Sequence, residues 1–173
     1  MTTGTCVTIR FNTPQGELFV HNIYNPPPGS PSSQDLQTLQ HLETMLSHTN
    51  GLHFMAGEFN LHHPRWGSDF RPAHHYLADH LIEHTAAANM RLITPKGLTT
   101  WARANSSSTI DLAFLSESLT ENVVSCEVNT KLICGSNHMP IQTTLNIPVQ
   151  GAVPPAYLST SEPARSARSA WSA

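Results

Sequence analysis

Apolar and polar residues alternate almost from the start of the chain. Between Cys6 and Phe11, Val7, Ile9 and Phe11 alternate with Thr8 and Arg10, the period of two that predicts a half-buried strand. Thr13-Pro14-Gln15-Gly16-Glu17 carries the residues of a hairpin turn, and Leu18 to Tyr24 reads as a second, more buried strand. That strand must stop at Asn25-Pro26-Pro27-Pro28-Gly29, because prolines have no N–H to give a ladder. Leu36, Leu39, Leu42, Met45 and Leu46 then form one stripe at helical spacing. Ser32 or Ser33 suits its cap, Asp35 its first turn, and Asn50-Gly51 its stop. Leu52 to Ala56 is a third strand, so strand, helix and strand follow one another in an α/β arrangement.

A second helix is predicted from His74 to Asn89, with Leu77, Leu81, Ile82 and Ala88 inward. Arg91 to Thr94 reads as a short strand, Pro95-Lys96-Gly97 as a turn, and Leu98 to Ala102 as extended chain. Asn105 to Ser108 reads as a polar loop. Strands follow at Thr109 to Leu115, Val123 to Val128 and Met139 to Ile147, the last with Ile141, Thr143 and Leu145 on one face. Beyond Pro148 the periodicity ends among Pro154, Pro155, Pro163 and many Ser and Ala residues. Residues 1–148 are therefore expected to form the domain, and 149–173 a disordered tail or linker.

The 173 residues are one domain's worth, and 39% hydrophobic residues suffice for a core. A formal net charge of −3 argues against a generally basic coat, so contact with nucleic acid would rest on a local cluster of Arg and Lys. No signal-peptide pattern and no apolar run of membrane-spanning length are present, and no membrane partner is expected. Cys6, Cys126 and Cys134 are odd in number and lack metal-type spacing, which fits a reducing, intracellular setting. Of eleven histidines, His62, His63, His74, His75, His80 and His84 crowd one region. His80 and His84 are four apart, a spacing that can hold zinc from one helix face, although no Cys lies near and no Glu follows His80 as in metalloproteases.

Three polar stations stand at the ends of apolar strands or within them. They are Glu58 with Asn60, Asp111 within Thr109-Ile110-Asp111-Leu112, and Asn137-His138. Glu58 offers oxygens to a proton or a hard cation, and Asn60 offers both a donor and an acceptor. A carboxylate in a strand as apolar as Ile110 to Leu115 is costly without a partner. Either Asp111 accepts a hydrogen bond from His138, fixing its tautomer, or it sits on the solvent face of an edge strand.

In this order, Gly57-Glu58-Phe59-Asn60, Ser108-Thr109-Ile110-Asp111 and Ser136-Asn137-His138-Met139-Pro140-Ile141 resemble the endonuclease/exonuclease/phosphatase superfamily. Its usual signatures are Gly-Asp-x-Asn, an Ile-Asp strand and Ser-Asp-His. Ile23-Tyr24-Asn25-Pro26-Pro27 and His62-His63-Pro64-Arg65-Trp66-Gly67 are similar to the endonuclease domains of non-LTR retrotransposons, which precede a reverse transcriptase. The resemblance covers residues 6 to 147 and implies a DNase I-like α/β sandwich of two packed sheets flanked by helices, here lacking its N-terminal part. It also implies magnesium-assisted hydrolysis of a DNA phosphodiester, and a nuclear location if genomic DNA is the target.

By that resemblance Glu58 would orient or deprotonate the attacking water, and Asn60 would hold a phosphate oxygen or that water. His138, oriented by Asp111, would bind and protonate the scissile phosphate. Tyr24 would stand near the leaving oxygen, Arg65, Arg71 or Arg103 could contact flanking phosphates, and Glu58 and Asn137 would ligate Mg2+.

Three departures from the family pattern predict an impaired enzyme. Glu58 adds a methylene where the family has Asp, and a displacement of about 1 Å at a reacting atom can cost roughly a hundredfold. Asn137 replaces a carboxylate beside His138, weakening cation binding. The Asn and the principal metal-binding Glu of the family's first strands have no counterpart before Tyr24, since Glu17 follows a turn. The competing expectation is a non-catalytic binding module or remnant of the same fold. A phosphatase or phospholipase of the superfamily is a further one, and a zinc protein built on the histidines is the outlier.

Overall fold

The computed structural model describes residues 5–30, 37–48, 50–69, 72–132 and 135–148. Strand β1 (Thr5–Thr13) turns through Pro14 and Gln15 into β2 (Gly16–Tyr24), and the two pair antiparallel. Helix α1 (Gln37–His48) crosses to β3 (Leu52–Glu58), which lies parallel to β2. Helix α2 (His75–Ala87) leads to the short β4 (Met90–Leu92), and β5 (Trp101–Arg103) and β6 (Ser106–Ser108) form a small hairpin. Strand β7 (Asp111–Ser116) then enters the main sheet between β3 and β4, antiparallel to both. The sheet order is β1-β2-β3-β7-β4, and β8 (Val123–Val128) with β9 (Ile141–Leu145) makes a separate pair.

Alternation along these strands builds two unequal cores. On one face of the sheet Ile23, Met55, Leu112 and Phe114 meet Leu39, Leu42 and Leu46 of α1 and Leu77, Ala78 and Leu81 of α2. The i, i+3, i+7 spacing of the α1 leucines is what turns them all to that face. On the other face a smaller cluster of Leu18, Leu115 and Leu119 is covered by Val123, Leu145 and Ile147. That cover stops short of β1. Val7, Ile9 and Phe11 form the expected alternating row, but they are 59%, 54% and 37% exposed rather than half-buried. The inward neighbour Cys6 instead turns toward Met45 of α1, with its sulfur 3.6 Å from the thioether.

The boundaries differ from the sequence reading in ways that matter for the site. Strand β3 runs two residues beyond Ala56, so Glu58 is its last residue and inherits its rigidity. Asp111 opens β7 rather than lying inside it. Ser106 to Ser108 is a strand and not a loop: Ala104 takes a positive φ of 52° to make the turn, and the serines pair with Trp101 to Arg103. Serine carries no apolar period, so alternation could not reveal that arm. The expectations for Ser32, Ser33, Asp35, Leu36, Arg71, Cys134 and the tail at 149–173 fall outside the described residues. Among the described residues no helix is long and apolar enough to cross a membrane.

At the end of β2 and β3 remote from Glu58, the helix-facing side of the sheet holds a polar chain that runs from the exposed Thr8 to the buried His21 and His53. Thr8 Oγ1 lies 2.8 Å from His21 Nδ1, and His21 Nε2 lies 3.0 Å from His53 Nδ1. The His21 and His53 rings stack on each other and on Phe19. Burial, with His53 as a like-charged neighbour, pushes the His21 imidazole from 6.5 down to about 4. The unfolded chain therefore binds a proton at His21 across a pH range in which the folded chain does not. Stability should fall as pH drops from about 6.5 to about 4, by about 3 kcal/mol for this one group. Denaturant unfolding at pH 7, 5.5 and 4.5 reads that slope, and His21→Asn should flatten it.

Gly57 sets how closely β2 and β3 approach. Its φ is +148°, and a Cβ there would lie 2.0 Å from the carbonyl oxygen of Ile23. No side chain can be accommodated without moving backbone. Gly57→Ala should cost roughly 3 kcal/mol or more in urea unfolding. Gly67→Ala, whose added carbon meets nothing nearer than 3.6 Å, should cost far less.

Candidate active site

The ends of three strands line up. Tyr24 pairs with Glu58 across β2 and β3, and Glu58 pairs with Asp111 across β3 and β7. Directly paired residues project to the same face, and the parity of Met55 and Leu112 puts this face opposite the helices. Each strand would splay here without further ties, because the ladder ends. The ties are provided by the next residues along the chain. Asn25 N–H donates to the Glu58 carbonyl at 2.8 Å, and Phe59 N–H to the Ile110 carbonyl at 2.9 Å. The buried Asn25 amide donates to the Phe59 carbonyl at 2.7 Å.

His138 arrives from outside the sheet on a strap held to β5. Ala102 N–H donates to the Asn137 carbonyl at 2.9 Å and Met139 N–H to the Thr100 carbonyl at 2.7 Å. These two bonds bracket His138 and aim its ring back at Asp111. Nδ1 lies 3.2 and 3.0 Å from the two Asp111 oxygens, and Nε2 lies 3.7 Å from Glu58 Oε2. Of the two readings open for Asp111, the geometry selects the histidine partner. Thr100, fully buried, fixes the carboxylate's backbone by accepting from both Ile110 N–H and Asp111 N–H at 3.0 Å.

The Asn60 amide nitrogen is turned back onto Glu58. It donates to Glu58 Oε1 at 2.6 Å and to the Asn25 carbonyl at 2.9 Å. An amide nitrogen has two hydrogens, and both are used. Asn60 thus holds the Glu58 carboxylate, aided by a positive φ of 54° that asparagine tolerates. The loop behind it is pinned by Trp66, which is fully buried and donates its indole N–H to the Leu61 carbonyl at 3.0 Å. His63 accepts from Arg65 N–H at Nδ1, which leaves Nε2–H to face Asp79 at 3.3 Å. Within His62 to Gly67, the buried His63 and Trp66 therefore anchor the loop, while Arg65 is exposed.

Burial pushes the Asp111 carboxyl above its usual range, while hydrogen bonds from His138 and Thr100 and the His138 charge pull it back. Glu58 adds a further upward push as a like charge. Glu58, Asp111 and His138 offer ligating atoms that all lie within 4.8 Å of one another, and none of the three is fully buried. Two hard carboxylates and one imidazole at a partly open strand end suit a divalent cation. Asn137 is exposed, and its part in the strap is played by its backbone carbonyl. Tyr24 is 42% exposed beside Glu58, Glu17 is bound to Arg10 at 3.0 Å at the far end of β2, and Arg65 and Arg103 are exposed.

Two clefts flank the cluster. One of about 450 Å³ lies between Pro27, Pro28, His62 and Trp101, with Glu58 and Asn60 at its wall. The other, of about 360 Å³, runs from Asp111 and His138 along Asn22, Phe54 and Ile141 into the space between the two sheets. Asn25 and Thr100 are the residues that sequence reasoning missed. Asn25 looked like part of a proline turn, and a threonine ahead of a short strand carries no signal of its own.

The sequence matches the endonuclease-reverse transcriptase family over residues 18–142. No curated protein matches it. Among solved structures, the endonuclease domain of TRAS1, a telomere-specific non-LTR retrotransposon, is similar at 18% identity with a TM-score of 0.63. The match covers 81% of this chain and 61% of that one. The catalytic domain of Xenopus laevis APE2 is similar at 16% identity and a TM-score of 0.60, covering 83% of this chain and 55% of that one. A Neisseria 3′ phosphatase, NExo, bound to product DNA hairpin, is similar at 12% identity and a TM-score of 0.55, covering 83% and 79%. This chain thus spans a little over half the length of the first two domains, and at such identities the likeness establishes the shared DNase I-like fold. With a family match across most of its length, the chain belongs to the endonuclease-reverse transcriptase family.

Proposed function

We propose that this chain is a metal-dependent DNA endonuclease domain of the non-LTR retrotransposon type, cleaving phosphodiesters more slowly than a full family ligand set would allow. The observation that carries the reading is the convergence of Glu58, Asp111 and His138 from separate segments, with the Asp111–His138 pair already bonded at 3.0 Å. Catalysis needs those groups placed before substrate arrives, and the surrounding backbone ties place them.

Glu58 and Asn137 would hold Mg2+, with the Asp111 carboxylate adding negative charge nearby. When bound, the ion supplies charge neutralisation at the phosphate and leaving oxygen. Glu58 Oε2, the oxygen not held by Asn60, accepts the hydrogen of the attacking water. Asn60 is a positioning residue that keeps that carboxylate in one rotamer. His138 donates from Nε2 to a phosphate oxygen while Asp111 braces Nδ1 and stabilises the imidazolium. Tyr24 stands in the same row as Glu58, where its hydroxyl can serve the leaving side. With a net charge of −3, DNA contact relies on local cations, and binding should weaken steeply with salt. A downstream reverse transcriptase in the parent element, and a nuclear site of action on genomic DNA, accompany this reading.

The exposed Asn137 favours a second reading, a DNA-binding module that has lost turnover. Nicking of supercoiled plasmid separates the two. Magnesium-dependent nicking by the parent chain, absent from His138→Ala and quenched by chelation, is the expected result. Equal traces from both, with DNA retained in a gel-shift assay, would establish the binding module instead.

The departures from the family pattern give an independent check. Asn137→Asp restores a carboxylate beside His138 and should raise nicking at subsaturating Mg2+ roughly tenfold, through added ligand charge. An unchanged or lower rate would place Asn137 outside the metal-binding set.

A further inference from the structure

We propose that His80 and His84 form a second metal site, for a borderline transition dication such as Zn(II), at the seam between α2 and α1. The two residues sit one turn apart on the same face of α2. Their rings stand nearly parallel, 18° between planes and 6.1 Å between centroids. Each Nδ1 faces a carboxylate: His80 Nδ1 is 3.5 Å from Glu83 Oε2, and His84 Nδ1 is 4.0 Å from Glu43 Oε2 of α1. These are ion-pair rather than hydrogen-bond separations. Negative charge beside Nδ1 still favours the tautomer whose lone pair is on Nε2, and a small turn of either carboxylate would let it orient a metal-bound ring.

The surroundings suit a dication. The charged side chains in contact with the pair, Glu43 and Glu83, are both anionic. Zinc takes histidine nitrogen at about 2.0–2.1 Å in the plane of the ring, so the stacked rings must turn until both Nε2 lone pairs converge on one point, with water completing the tetrahedron. Side-chain rotation can do this without cost to the core, because His80 and His84 are 42% and 19% exposed while α2 is anchored through Leu77, Ala78, Leu81 and Thr85. Tyr76 meets the His80 ring edge-on at 6.3 Å and limits its swing on the N-terminal side. Two imidazoles select zinc, copper or nickel over magnesium, unlike the carboxylate-rich cluster around Glu58. Because Glu43 comes from α1, a bound ion also links the two helices and stabilises the folded chain.

The test is zinc titration calorimetry and thermal melting of the whole chain in a His138→Ala background, which removes the imidazole of the Glu58 cluster. One zinc per chain and a higher melting temperature with zinc are expected, and both should persist in saturating Mg2+, which the carboxylates around Glu58 would take instead. His80→Ala should abolish both responses while leaving the metal-free melting temperature unchanged. His84→Ala should do the same to binding, and Glu43→Gln should weaken zinc roughly tenfold without removing it. Zinc-induced shifts in histidine Nε2 resonances should map to these two rings. Undiminished zinc binding in the His80→Ala variant, or none in the His138→Ala background, would overturn the proposal.

Discussion

The close approach of β2 and β3 at Gly57 is the constraint on which the rest of the site depends. With no Cβ, the backbone of Gly57 packs directly against the Ile23 carbonyl, and the two parallel strands stay in register to their last residues. That register puts Tyr24 beside Glu58, and the antiparallel pairing with β7 adds Asp111 to the same row. A shift of one residue in any of these strands would turn its polar end to the helix side, among Ile23, Met55 and Phe114. The site is a consequence of sheet register, and register is held by the larger core on the helix face.

What the sheet cannot supply is the histidine. His138 lies on a connection, and its place depends on hydrogen bonds to the β5–β6 hairpin, a small two-stranded unit outside the main sheet. Thr100 joins the two parts, since its carbonyl holds the strap at Met139 and its hydroxyl holds the start of β7 at Asp111. Both partners of the Asp111–His138 bond therefore hang from one buried residue.

The sequence made the strands and helices legible wherever side chains had a period. Leu39, Leu42 and Leu46 announced α1, and Leu52 to Ala56 announced β3. Glu58, Asp111 and His138 were legible because carboxylates and a histidine at the ends of apolar runs need partners. Their convergence was implied by the family resemblance, since spacing alone left Asp111 either beside His138 or on a solvent face. The remainder was written in the backbone. Ser106 to Ser108 pair through main-chain bonds that no alternation reports, and Asn25 and Thr100 act through backbone donors and acceptors. The burial of β1 was misjudged for a different reason. Alternation predicts that Val7, Ile9 and Phe11 share a face, but whether anything covers that face depends on the reach of β8 and β9, which a local pattern does not encode.

The longer side chain of Glu58 can be understood through its neighbours. An aspartate at the same backbone position would reach one methylene less, and the carboxylate is at present held at 2.6 Å by Asn60 while its other oxygen stands 3.7 Å from His138. The extra length brings a second carboxylate toward the imidazole, and the amide of Asn137 removes a third from its vicinity. The two departures thus oppose each other in local charge. The ring keeps two anionic neighbours, Asp111 at hydrogen-bond distance and Glu58 just beyond it. Placement of that second charge is set by Asn60, whose two donors tie Glu58 to the Asn25 turn. The geometry of the charge cluster therefore rests on a neutral residue, and the Asn25–Asn60 pair is as much a part of the site as the groups that carry charge.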